Sequence, residues 1–250
     1  MPMVRRYAAL ADPKAMAQRF KALKGVFLDH QFERNSPLAE LEPALLERIH
    51  SEEVVLPPRR HVELSGGQTV EGLIFLAGLV RALGAAEVFE IGTFSGTTTW
   101  TLARNMESGR VSTLDLPPEA NPSLELEASD REVRRLLSHH MYDELPHRAE
   151  IEQLWGDSAG FDFEPWKNKC DLVYVDGAHS EAYVERDTSS AFEMISERGV
   201  IVWDDYWRQV DGVARVLHRL PGGDLCRIPS TRLVVHMTPA ARALLGPSTG

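Results

Sequence analysis

The stretch AEVFEIGTFSGTTTWTLARNM, residues 86–106, reads as three pieces. A short run of strand-forming residues ends at Ile91, Gly92 and Gly96 punctuate a turn, and a helical pattern follows. The unit repeats along the chain. RVSTLD (110–115), AEIEQLW (149–155), DLVYVD (171–176) and GVIVWD (199–204) are further short, closely bounded runs, and SLELEASDREVRRLLSHHM (123–141) and EAYVERDTSSAFEMISE (181–197) are helical patterns between them. Strand–helix alternation implies parallel strands joined by crossover helices, hence an open sheet with helices on both faces. DLCRIP (224–229) and TRLVVHM (231–237) lie too close together for a crossover and form an antiparallel hairpin. The expectation is an α/β, Rossmann-like doubly wound sheet of seven strands, mostly parallel, with one antiparallel strand near the edge.

Upstream, TVEGLIFLAGLVRALG (69–84) is apolar around most of its circumference, the signature of a helix packed firmly on the sheet. Residues 1–65, punctuated by Pro37, Pro43, Pro57 and Pro58, read as a mainly helical amino-terminal extension, too short for a core of its own. Residues 66–250 form the main domain, with an insertion at 117–148.

Composition narrows the partners. The chain has 250 residues, 43% hydrophobic and 26% charged, with 37 acidic against 27 basic residues and a formal charge of −10. Only short basic clusters occur (Arg59 with Arg60, Arg134 with Arg135), whereas a grip on phosphate backbones needs a basic patch. Neither nucleic acid nor an anionic membrane surface is expected. The longest apolar stretch, GLIFLAGLV (72–80), is far short of the ~20 residues of a membrane span, and the amino terminus lacks the apolar core of a secretory signal. Cys170 and Cys226 have no CxxC partner and read as free thiols of a reducing cytoplasm. A small-molecule substrate is the expected partner, and the helical amino terminus offers a surface for self-association into a homo-oligomer.

In sheets of this kind ligands bind beyond the carboxyl ends of the strands. At the first such end Gly92 permits the turn and Gly96 a close approach, but the middle position of the dinucleotide fingerprint is Phe94, whose ring would obstruct a pyrophosphate. A cofactor without phosphates fits better. Asp115, ending the second strand, stands where an acid accepts ribose hydroxyls, or caps the turn before Pro117 and Pro118. Asp157 either accepts from an adenine amino group, with Ser158 beside it, or caps the next segment.

Taken together, EIGTFSG, the acid after the second strand, GDS after the third and VDG after the fourth resemble a class I S-adenosylmethionine-dependent methyltransferase. VDGAHSEAYVERD followed by GVIVWDDY is similar to methyltransferase family 24, which includes macrolide-sugar O-methyltransferases and a cephalosporin-biosynthesis protein. EGLIFLAGLVRALGAAEVFEIGTFSG also resembles the catechol and caffeoyl-CoA O-methyltransferases. The likeness runs from about residue 66 to 237 and leaves out 117–148. It implies S-adenosyl-L-methionine as cofactor, held by Glu90, Gly92, Thr93, Phe94, Ser95, Gly96, Asp115, Leu116, Asp157, Ser158 and Asp176.

Asp176 ends the fourth strand, and Asp204 and Asp205 end the fifth. Neighbouring strands lie ~4.8 Å apart, so the three carboxylates can meet at one edge where the chain turns. Either each acid caps a loop, or a cation lies among them to relieve their repulsion. An all-oxygen set favours a hard ion, Mg²⁺ above all. The resemblance places metal ligands at Asp176, Asp204 and Asp205. His179, with an ordinary pKa of ~6.5, suits a general base at neutral pH, and the macrolide-sugar enzymes carry a histidine in that role at the matching position. Other candidates rank lower. His139 and His140 could contact a substrate. Trp203, Tyr206 and Trp207 read as packing first and as an aromatic substrate wall second, and Arg186 with Asp187 as a solvated helix face.

The expected activity is therefore a Mg²⁺-dependent O-methyltransferase acting on a hydroxyl of a sugar, a polyketide or macrolide glycoside, or a catechol-like ring. The alternatives are a metal-independent methyltransferase, a non-catalytic cofactor-binding relative, and a nicotinamide dehydrogenase, which Phe94 disfavours.

Overall fold

A computed structural model describes residues 32, 35–62, 67–133, 140–207, 211–220 and 224–246. Eight strands form one sheet: β1 (Ala39–Glu40), β2 (Glu87–Ile91), β3 (Arg110–Asp115), β4 (Glu150–Trp155), β5 (Cys170–Val175), β6 (Ile195–Trp203), β7 (Leu225–Arg227) and β8 (Val234–Met237). Their spatial order is β1-β7-β8-β6-β5-β2-β3-β4. Every pairing is parallel except those of β8 with β6 and with β7. This is the doubly wound α/β sheet with one reversed strand.

The sheet has eight strands, not the expected seven. The extra strand lies in the segment expected to be mainly helical. It is two residues long, pairs parallel with β7 and is extended by Leu41 N donating to Arg227 O at 3.0 Å. β7 would otherwise be the sheet edge, and its unpaired backbone groups are what recruit a passing segment. Two further boundaries move. The helix of residues 181–197 stops at Met194, because Ile195 already enters β6. Within 123–141 the described helix covers only Ala128–Val133, with a single 3-10 turn at Met141–Asp143; residues 134–139, including His139, Arg134 and Arg135, lie outside the described residues.

Among the described residues eight α-helices flank the sheet: α1 (Pro43–His50), α2 (Arg59–Val62), α3 (Val70–Leu83), α4 (Thr97–Asn105), α5 (Ala128–Val133), α6 (Glu181–Met194), α7 (Asp211–Leu217) and α8 (Pro239–Leu245). Strand side chains alternate between faces, and the two cores follow that alternation. Val88, Leu172, Tyr174, Val200 and Val202 pack on one side with α1, α3, α4 and α8. Phe89, Val173, Val175, Ile201 and Trp203 pack on the other with α6 and α7. The apolar helix at 69–84 is α3, started by Thr69, whose Oγ1 accepts from Gly72 N at 3.1 Å, and ended at Gly84 in the left-handed region. Leu41, Leu45 and Ile49 belong to the first core, so the described part of the extension shares its packing with the sheet. Among the described residues no helix is long and apolar enough to cross a membrane.

Register fixes the rim on which the site is built. Ile91 pairs with Leu114 and with Val175, Val175 with Trp203, and Asp115 with Trp155. The residues that follow, among them Gly92, Gly156, Asp176 and Asp204, therefore share one edge.

Candidate active site

A cavity of about 800 Å³ opens along that rim. One half is lined by Gly92, Phe94, Asp115, Leu116, Asp157 and Ser158, with Trp155 and Tyr183 as walls; the other by Asp130, Asp176, His179, Asp205, Trp207 and Arg232. Seven expected cofactor residues thus face one space: Gly92, Phe94, Asp115, Leu116, Asp157, Ser158 and Asp176. Glu90, Thr93, Ser95 and Gly96 do not line it. Glu90 is fully buried, and its Oε2 accepts from Thr99 Oγ1 (2.5 Å) and Thr113 Oγ1 (2.6 Å), which ties β2 to α4 and β3. Burial pushes its carboxyl up to about 8, the two hydroxyl donors offsetting only part of the effect.

The loop after β2 is tight for a specific reason. Gly92 has φ +98°, and a Cβ there would lie 2.0 Å from the carbonyl oxygen of Asp176. Only glycine lets the two loops touch. Asp115 Oδ1 accepts from Leu116 N at 2.9 Å. Asp157 is engaged by protein donors, accepting from Ser123 N (2.6 Å), Ala159 N (3.0 Å) and Tyr183 OH (3.0 and 3.1 Å to its two oxygens). Burial alone would raise its pKa; those donors outweigh it and hold Asp157 ionised.

The acids divide between two environments. Tyr174, Asp176 and Asp204 project to the same face of the sheet by strand parity, and Tyr174 OH lies 3.1 Å from Oδ2 of each carboxylate. Gln68 Nε2 donates to Asp204 Oδ2 and to Tyr174 OH, both at 2.9 Å. Asp204 Oδ1 is buried without a hydrogen-bond partner among the described residues. Asp205 instead adopts φ +57°, the left-handed region that a non-glycine residue enters at a cost of ~1–3 kcal/mol. That turn carries its side chain off the Asp204 face into the cavity, where Oδ2 meets His179 Nε2 at 2.6 Å. Asp176, His179 and Asp205 each offer one ligand atom within 4.8 Å of the others. Asp204 joins them around a separate void of about 10 Å³, room for one water-sized sphere. Burial first, and the neighbouring carboxylates second, raise the pKa of Asp176 and Asp204. A buried, repelling set with an unpartnered carboxylate oxygen fits a hard divalent cation.

Two cations already reside there. Arg232 Nη1 lies 2.9 Å from Asp205 Oδ1, and Nη2 lies 3.4 Å from Asp204 Oδ2. His179 is clasped from both sides, with Nδ1 against Asp130 Oδ1 and its backbone N–H donating to Asp130 Oδ2 at 3.1 Å. Burial would lower its pKa, but the hydrogen bonds to Asp130 and Asp205 outweigh burial and push it up to about 11. In these contacts His179 is an imidazolium, a donor at both nitrogens, rather than the neutral base expected from its ordinary pKa.

Asp130, Arg232, Tyr174 and Gln68 were not among the expected site residues. Asp187 was misassigned to a solvated face: it is fully buried beneath Gly177, and burial pushes its carboxyl up to about 7, while Arg186 is exposed. Trp203 is core and Tyr206 is buried against Phe32, whereas Trp207 and His140 line the cavity.

Residues 89–206 match the family model described as a methyltransferase domain, that of methyltransferase family 24. By that match the segment is a methyltransferase domain, and the sheet order is that of the class I, S-adenosylmethionine-dependent methyltransferase fold. Among solved structures it is similar to the O-methyltransferase NovP, at 13% identity and TM-score 0.50, over 68% of this chain and 80% of that one. It is also similar to SAH-bound Podospora anserina methyltransferase PaMTH1, at 15% identity and TM-score 0.49, over 90% and 96%. A third is the O-methyltransferase TomG from Streptomyces achromogenes, involved in tomaymycin synthesis and solved with SAM, at 21% identity and TM-score 0.47, over 84% and 95%. At these identities the likeness is one of fold. No curated protein matches the chain.

Proposed function

We propose that this methyltransferase is a divalent-cation-dependent O-methyltransferase acting on a hydroxyl of a small polar molecule. The observation that carries this reading is the continuity of one cavity from Gly92, Asp115 and Asp157 to Asp176, His179 and Asp205. A nucleoside donor laid along the first three residues brings its sulfonium toward the acids, whose charge suits both a positive donor and a cation. The similarity of VDGAHSEAYVERD and GVIVWDDY to family 24 supports chemistry at oxygen. A small-molecule acceptor agrees with a cavity of about 800 Å³, and a cytoplasmic location with two free, buried thiols.

In this reading Asp115 holds the ribose and Asp157 with Ser158 the adenine edge. Asp176, Asp204 and Asp205 would hold the Mg²⁺, which when bound stabilises a hydroxyl oxygen as its anion and fixes its place. The acceptor oxygen forms its bond to the methyl carbon as the carbon–sulfur bond breaks, and S-adenosylhomocysteine leaves. His179 handles the hydroxyl proton at Nε2, and the clasp sets the condition. Nε2 accepts that proton only after the imidazolium has given its own Nε2 proton to Asp205 Oδ2 or to solvent; until then the imidazolium orients the site and stabilises negative charge.

The test is transfer of labelled methyl from S-adenosylmethionine to a panel of sugar, glycoside and catechol hydroxyls, with and without EDTA. Transfer that the chelator abolishes and Mg²⁺ restores is expected. A second reading, metal-independent transfer by the same fold, is favoured by one observation: Arg232 already neutralises Asp204 and Asp205. Undiminished transfer in EDTA would establish it.

A further inference from the structure

We infer that Arg232 is a built-in competitor for the divalent cation, a positioning residue whose charge lies against Asp204 and Asp205 and so sets how tightly the site loads. The inference rests on the metal reading above. Arg232 comes from outside the family-matched segment, on the turn between β7 and β8, where Thr231 Oγ1 accepts from Leu233 N at 3.0 Å. Its Nη1 faces Asp205 Oδ1 at 2.9 Å and its Nη2 faces Asp204 Oδ2 at 3.4 Å, bridging the two acids that the chain turn at Asp205 separates. Nη2 also donates to Gly67 O at 3.3 Å, and the guanidinium lies over the Trp207 ring, 5.7 Å from its centroid.

The guanidinium offsets the negative charge that would draw a metal ion, by a hydrogen bond to Asp204 Oδ2 and by charge alone at Asp205 Oδ1. The two cations also repel at this range. A divalent ion held by Asp204 Oδ1 and Asp205 therefore binds against the charge of Arg232, which already lies over the Trp207 face.

The probe is Mn²⁺, a hard divalent ion counted by its paramagnetic resonance signal, titrated into the full chain without donor or acceptor. Arg232→Gln keeps a donor but loses the charge, and it should bind Mn²⁺ at least ~10-fold more tightly, since screened charges at this distance are worth a factor of that order or more. Arg232→Lys keeps the charge and should stay close to the parent. Arg232→Met, which preserves the stem, repeats the test if the glutamine variant does not fold, and unchanged S-adenosylhomocysteine affinity certifies each protein. Equal Mn²⁺ affinity in parent and uncharged variants, or weaker binding in the variants, overturns the competition while leaving the metal reading intact. Absence of Mn²⁺ binding in all of them overturns both.

Discussion

Replacing Glu90 with glutamine should change how stability depends on pH. The carboxyl titrates near 4.5 when free and at about 8 in the fully buried site. Between those values the unfolded chain has released the proton and the folded chain retains it. The folded state therefore loses stability as pH rises, by ~1.4 kcal/mol per pH unit. By pH 7 the accumulated loss from this one group is on the order of 3 kcal/mol. A glutamine has no such proton. Its oxygen can accept from Thr99 and Thr113 as Oε2 does, while its nitrogen takes the place of Oε1, which lacks a partner among the described residues. That unpartnered amide adds a cost of ~1–3 kcal/mol that does not vary with pH. The informative quantity is thus a slope rather than a midpoint. Urea unfolding at intervals from pH 5 to 8 should show Glu90→Gln gaining on the parent steadily as pH rises. Parallel curves would refute the reasoning, because they require Glu90 to be ionised within the fold. Donor affinity should change little, since the carboxyl does not line the cavity.

Gly92→Ala combines a left-handed φ with a Cβ driven against the Asp176 carbonyl; it should cost ~1–3 kcal/mol in stability from strain alone and lower S-adenosylhomocysteine affinity, both read by calorimetry. A variant with parental affinity would show that the loop does not rest on Asp176. His179→Ala should depress turnover and alter the alkaline side of the pH–rate profile, where a histidine pushed up to about 11 loses its proton, and an unshifted profile would remove His179 from proton handling. Asp204→Asn should weaken Mg²⁺ dependence and turnover while sparing donor affinity, with identical metal response in variant and parent as the contrary outcome.

The parts of the fold legible in the sequence are those where local pattern and tertiary demand agree. β2, β3, β5 and β6 alternate between two cores and stop at glycine or aspartate, so both period and ends were visible. β1 was not, because two residues carry no period and exist as a strand only through β7. Asp187 could have been read correctly: it shares a stripe with Tyr183, Val184, Thr188, Ala191 and Met194, all buried, and only its charge argued for solvent. The aspartates at the strand ends were legible from position alone. The cations that answer them were not: Arg232 arrives on a hairpin turn, and the clasp that charges His179 comes from Asp130 in the insertion, both remote in sequence and marked by no motif.

The contact of Gly92 with the Asp176 carbonyl has a consequence for how such a catalyst diversifies. The loops after β2 and β5 meet at a main-chain joint, so their spacing is held by packing that no wall residue controls. Trp207, Ser129 and their neighbours line the cavity without entering that joint, and can be exchanged without moving it.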